Sequence, residues 1–233
     1  MMLDEKRFQC HRGFCGEGQM ENTLGSLLAA SAKGYEMVEF DVRLTRDYVP
    51  VLYHDKNLKR LHQVPIEVRF LTLQQLRTFA PNVTTLESVF ERSELKFLNI
   101  ELKTESLVDP ALEMQVIRLI KKYKAEERVV LSSFNPVSLI RAKALYPDVA
   151  RGLLVTQNEE NKNYWFLKEM SLLPHCGAQF LHLHAEMVTE ERIVDFLRQG
   201  YKIAVYTVND PNKADYFFSL GIQSIITDSI PSS

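Results

Sequence analysis

Cysteine is scarce. Cys10, Cys15 and Cys176 are the only three in 233 residues, too few and too unevenly placed for a disulfide framework, and no CxxC or Cys/His cluster has zinc spacing. A reducing compartment fits that usage. Charge of one sign is also lacking, because 28 Lys and Arg stand against 30 Asp and Glu, for a net charge of −2. Without a basic block, the sequence argues against a nucleic-acid partner. No apolar run approaches the roughly 18 residues that span a bilayer, and the start, MMLDEKRFQCHRG, lacks the apolar segment of a signal peptide. The expectation is a cytoplasmic protein with no stable membrane insertion; its oligomeric state is not readable. Low-complexity linkers are missing too, so residues 1–233 are expected to form one domain. Neither GxGxxG nor GxxxxGK[ST] follows the first candidate strand, which weakens a nucleotide-binding reading.

What the chain does have is alternation. Short runs rich in β-branched and aromatic residues recur at 7–12, 37–45 (with a possible continuation to PVLYHD), 96–103, 128–134, 149–155, 178–184, 202–209 and 223–228. Segments of helical period lie between them, among them TLGSLLAASAKG, stopped by Gly34, and DPALEMQVIRLIKKYKA, opened by Pro110. Eight strands alternating with helices on a chain of this length predict a closed (β/α)8 TIM barrel; an open doubly wound sheet is the alternative. The stretch from Asp55 to Pro81 is the least regular and reads as an excursion that could shape a pocket.

Strand alternation then separates two faces. Val38, Phe40 and Val42 point one way while Glu39, Asp41 and Arg43 point the other; Leu98, Ile100 and Leu102 likewise oppose Asn99, Glu101 and Lys103. If the apolar faces pack on helices, Glu39, Asp41 and Glu101 turn inward, where unpaired carboxylates cost several kcal/mol. Three carboxylates together offer the oxygen-rich chemistry of a hard divalent cation, Mg²⁺ or Ca²⁺, with Mn²⁺ also suited. The bland alternative is a solvated edge strand with Arg43 or Lys103 as partners.

His11 and His54 lie at strand ends that open on the same mouth. Two imidazoles beside a metal-bound anion suit general acid and base catalysis near neutral pH, and a phosphate ester is a natural substrate. Arg12 and Lys103 add cations for phosphate oxygens, although Arg12 must leave the strand to face the same way as His11. His182 and His184 share one strand face and are possible substrate contacts, with core hydrogen bonding as the alternative. A cysteine nucleophile is not expected, since no separate base is identifiable. The aromatic cluster around Trp165 reads as core more readily than as a lipid contact.

The ordered set His11-Arg12-Gly13, Glu21-Asn22-Thr23, Glu39-Phe40-Asp41-Val42, Thr45-Arg46-Asp47, Pro50-Val51, His54-Asp55 and Ile100-Glu101-Leu102-Lys103 closely resembles the glycerophosphodiester phosphodiesterase family. A looser likeness runs on through Ser132-Ser133-Phe134 and Tyr206-Thr207-Val208-Asn209 to Thr227-Asp228. The resemblance implies a TIM barrel that hydrolyses glycerophosphodiesters to sn-glycerol 3-phosphate and an alcohol with a divalent metal. It implies Glu39, Asp41 and Glu101 as ligands, His11 and His54 as the acid–base pair, and Arg12 and Lys103 as phosphate-binding residues. Asn22 would contact metal or substrate, or belong to a helix-capping segment only. Met20, Tyr48 and Tyr206 depart from the family's usual Pro, Gly and Trp without removing a proposed catalytic group. Lysophospholipase D or cyclising action on lysophospholipids, and a non-enzymatic barrel that binds a phosphorylated ligand, are the competing readings.

Overall fold

Among the described residues, nine strands are found: β1 (Arg7–His11), β2 (Met37–Leu44), β3 (Pro50–Leu52), β4 (Phe97–Leu102), β5 (Val129–Ser133), β6 (Ala150–Val155), β7 (Phe180–His184), β8 (Lys202–Tyr206) and β9 (Ser224–Thr227). All except β3 pair in parallel, and β1 pairs with both β2 and β9, so eight strands close into a barrel. The computed structural model describes residues 6–16, 18–92, 94–104, 106–156 and 170–229; the aromatic cluster around Trp165 lies outside them. Among the described residues, no helix is long and apolar enough to cross a membrane.

Helices begin where their capping residues predict. Thr23 accepts from the Ser26 amide ahead of α1 (Leu24–Ala32), and Thr72 and Thr85 do the same ahead of α3 (Leu73–Phe79) and α4 (Leu86–Phe90), the short α2 (Lys59–His62) preceding them. Pro110 precedes α5 (Ala111–Tyr123), and Pro136 is the first residue of α6 (Pro136–Leu145), capped by Asn135. Farther along come α7 (Leu173–Cys176), α8 (Glu190–Arg198) and α9 (Pro211–Ser219), the last two capped by Thr189 and Asp210.

The two faces of the strands have separate cores. Val38, Phe40, Val42, Leu98, Ile100 and Leu102 pack outward in one apolar cluster with Leu27, Val116 and Ile120 of the surrounding helices. Inside the barrel, Met37, Val130 and Phe180 form a distinct cluster with Phe97 and Ala150, which plugs the end where the strands begin. Above it lies a polar layer: Asn99 donates to Gln9 (2.8 Å), Ser132 donates to Asn99 (2.8 Å), and Gln9 donates to Ser224 (2.8 Å). His182 fills the same interior. Gly152 faces it from β6, where a Cβ would stand 2.6 Å from the imidazole Nε2, so only glycine leaves room.

One strand boundary differs from the expectation. Rather than continuing to PVLYHD, β2 ends at Leu44 and the chain folds back as β3, antiparallel to it. The turn is held by the Thr45 hydroxyl, which donates to Asp47 (2.7 Å) and accepts from the Val49 amide (2.9 Å), with Tyr48 at φ 61°. Between Asp55 and Pro81, α2, a 3-10 turn (Val68–Phe70) and α3 gather Leu58, Val68, Leu71, Leu76 and Ala80 over Val51 and Tyr53.

Candidate active site

Parallel register brings the carboxylates together. Asp41 is level with Glu101 on the neighbouring strand, and Glu39 is level with His11 on the other side. One oxygen from each of Glu39, Asp41 and Glu101 lies within 4.8 Å of the others, and all three residues are buried. A solvated edge strand is thereby ruled out for Glu39 and Asp41. Lys103 is a partner, with Nζ 2.9 Å from Asp41 Oδ1 and 2.5 Å from Glu101 Oε1, whereas Arg43 turns away to donate to the His54 carbonyl (2.9 and 2.8 Å).

Arg12 does leave the strand. Its φ of 56° turns the chain directly after β1, its amide donates to Glu39 Oε2 (3.1 Å), and its guanidinium Nε lies 3.5 Å from Asp41 Oδ2. The next residue, Gly13, has φ 76° and passes so close to α1 that a Cβ would meet Ser26 at 2.5 Å. Asn22, at φ 57°, clamps Asp41 from both ends: its Nδ2 donates to Asp41 Oδ2 (2.8 Å), and its Oδ1 accepts from the Asp41 amide (2.9 Å). Asn22 thus orients a carboxylate, a role the sequence reading did not name; capping falls to Thr23.

Each imidazole is braced by an aspartate. His11 Nδ1 is 2.7 Å from Asp228 Oδ1, and His54 Nδ1 is 2.8 Å from Asp55 Oδ1. Behind Asp55, Arg60 Nε donates to Oδ2 (2.6 Å) and its guanidinium also holds Glu21, which faces Arg12 at 3.3 Å. Neither bracing role was readable beforehand, although the adjacency of Asp55 to His54 was a local signal. With Nδ1 engaged, the other ring nitrogen remains for chemistry; Nε2 of His11 is 3.9 Å from Glu39 Oε2.

The electrostatics follow from burial and these partners. Burial works against a charged His11, but the Asp228 bond and the Glu39 carboxylate outweigh it and raise its pKa; burial, with Lys103 and Arg12, lowers that of His54 despite Asp41. Burial also opposes the charge on Asp41, yet Lys103, His54 and Arg12 hold it ionised far below the usual carboxylate range. Glu39 is pushed up to about 8 by burial and by Asp41. Three carboxylates crowded out of water are thus under-neutralised by the cations present. Their all-oxygen donor set fits a hard divalent cation, while zinc would call for His or Cys.

The remaining two histidine candidates differ from each other in place. His182 is only 1% exposed and lies inside the barrel, one inward position below His184, so its place is the core and not the mouth. His184 is partly exposed, accepts from the Glu186 amide (3.4 Å) and packs edge-on against Tyr206. Burial pushes the Cys10 thiol up to about 12 and that of Cys176 up to about 11, which disfavours either as nucleophile.

Similar proteins are found by sequence and by structure. Residues 11–231 match the glycerophosphoryl diester phosphodiesterase family. A glycerophosphodiester phosphodiesterase of Caldanaerobacter subterraneus subsp. tengcongensis is 29% identical, over 94% of this chain and 92% of its own. Among solved structures, an Oleispira antarctica phosphodiesterase in complex with the product sn-glycerol-3-phosphate is 27% identical and superposes with TM-score 0.82, covering 96% of this chain and 93% of its own. The glycerophosphodiester phosphodiesterase of Thermotoga maritima is 29% identical with TM-score 0.77, covering 96% and 95%. With the family match spanning nearly the whole barrel and its acidic mouth, the chain belongs to the glycerophosphoryl diester phosphodiesterase family.

Proposed function

We propose that the protein hydrolyses glycerophosphodiesters to sn-glycerol 3-phosphate and an alcohol, using a divalent cation held by Glu39, Asp41 and Glu101. The observation that carries this reading is the set of three buried carboxylates from neighbouring strands, within 4.8 Å of one another and flanked by two aspartate-braced imidazoles. The product found in the Oleispira antarctica relative supports the same substrate class. Mg²⁺, Ca²⁺ and Mn²⁺ all suit the oxygen donors. When bound, such an ion supplies Lewis acidity at a phosphoryl oxygen.

The chain's own groups do the rest. Arg12 and Lys103 share the negative charge that grows on the phosphoryl oxygens in the transition state. Of His11 and His54, one takes the proton of the attacking oxygen and the other gives a proton to the departing alcohol. Asp228 and Asp55 fix the ring orientations, which removes an entropic cost at the moment of reaction. Asn22 keeps Asp41 directed at the site. His11→Ala and His54→Ala should each lower kcat by about 10²–10⁴ in a glycerol 3-phosphate release assay, and a chelator should abolish turnover. Near-normal turnover in both variants would refute the acid–base assignment.

A further inference from the structure

Beside His54, a hollow open to solvent lies between the 20–23 turn, the end of β3 and the 61–62 and 80–83 stretches. Its wall is mainly apolar: Met20, Leu52, Leu61, Ala80, Pro81 and Val83. The polar groups in that wall are largely committed. Glu21 faces two guanidiniums, from Arg12 and Arg60; Asn22 is spent on Asp41; Thr23 caps α1. Tyr53 also lines the hollow, is 5% exposed, and buries a hydroxyl with no hydrogen-bond partner among the described residues; His62 and Asn82 complete the polar part of the wall. An unpaired buried hydroxyl is costly unless something fills its place.

We propose that this hollow is the subsite for the leaving alcohol, and that the alcohol it takes is uncharged and apolar; the proposal rests on the hydrolase reading above. His54 forms part of the wall, so a group seated there lies beside one imidazole of the proposed acid–base pair. Glycerol fits poorly, since its two hydroxyls would face a wall that is mainly apolar. A choline or ethanolamine cation fits poorly as well: Glu21, the acidic residue of the lining, is already paired with two arginines. The ring of Tyr53 is stacked on His62 at 6.3 Å, which takes up an aromatic face that a quaternary ammonium would use. An alkyl or aryl alcohol matches the wall. An acyl chain on the glycerol would start several bonds farther from phosphorus, which makes it the less direct occupant.

The test is glycerol 3-phosphate release from glycerophosphoethanol, glycerophosphobutanol, glycerophosphohexanol and glycerophosphocholine by wild type, Leu61→Gln and Val83→Trp. The expected result is a kcat/KM that rises about fourfold per buried methylene until the hollow is full, with the hexyl ester preferred over choline. Both variants should flatten the series. A flat series, or preference for choline, with activity intact, overturns the subsite and leaves the hydrolase reading standing. Should no ester be turned over, calorimetric binding of hexyl phosphate against ethyl phosphate decides: tighter hexyl binding that Leu61→Gln abolishes supports the subsite, and equal binding overturns it. A flat alcohol series with lysophosphatidylcholine turnover rising with acyl length assigns the hollow to an acyl chain and also overturns the proposal.

Discussion

His11 Nδ1 lies 2.7 Å from Asp228 Oδ1, a bond between the first barrel strand and the residue that follows the last. Pairing of β1 with β9, which sets Cys10 level with Thr227, creates the contact, so closing the barrel also builds half of the proposed acid–base pair. Asn209 holds Asp228 in turn, donating to its Oδ2 (3.0 Å) and accepting from its amide (2.8 Å). Asp228→Asn should therefore lower kcat by about 10²-fold through a misplaced ring, with KM and the thermal midpoint little changed. Steady-state kinetics beside a melting curve check this; an unaltered kcat would remove Asp228 from the account.

Among the described residues the Asn22 side chain bonds Asp41 on both sides, and through it would act on the proposed metal site. Replacing Asn22 with glycine keeps the left-handed backbone accessible while deleting both hydrogen bonds to Asp41. Loss of such an outer partner should weaken Mg²⁺ or Ca²⁺ binding about 10–100-fold, read by titration calorimetry without substrate. Undiminished affinity would show that Asp41 needs no clamp.

His182 predicts an acid sensitivity that belongs to the core and not to catalysis. Burial pushes its pKa down from 6.5 to about 4, and its Nδ1 has no partner. The unfolded chain takes up this proton as pH falls through about 6.5, and the native protein resists until about 4, so stability is full above 6.5 and lost progressively between the two values. At about 1.4 kcal/mol per pH unit the loss approaches roughly 3 kcal/mol. Urea midpoints across this window should fall less steeply for His182→Met than for wild type; parallel slopes would contradict the assignment.

Much of this site was legible because strand alternation is a local property. The apolar run Val38, Phe40, Val42 and its counterpart Leu98, Ile100, Leu102 were enough to turn Glu39, Asp41 and Glu101 inward, and the barrel places them so. Arg12 required a break from the strand, and its left-handed φ supplies one. Asp228 was invisible as a partner of His11, because the two are separated by 217 positions and meet only through strand closure. The Arg60 bridge from Asp55 to Glu21 likewise depends on how the stretch after β3 folds back over the mouth. The fold-back of β3 was missed because Pro50, Val51 and Leu52 have strand character whichever way the chain runs; direction is set by the turn at Thr45.

The central claim is that the acidic cluster and its two imidazoles cleave glycerophosphodiesters with a divalent cation. A phosphorus NMR time course tests it most directly, with glycerophosphocholine and glycerophosphoethanol each incubated with Mg²⁺, with Ca²⁺ and with a chelator, for wild type and Glu39→Ala. The account predicts glycerol 3-phosphate from at least one ester in the presence of metal, and none with the chelator or in the variant. Product formation that persists with the chelator, or in Glu39→Ala at the wild-type rate, would contradict it.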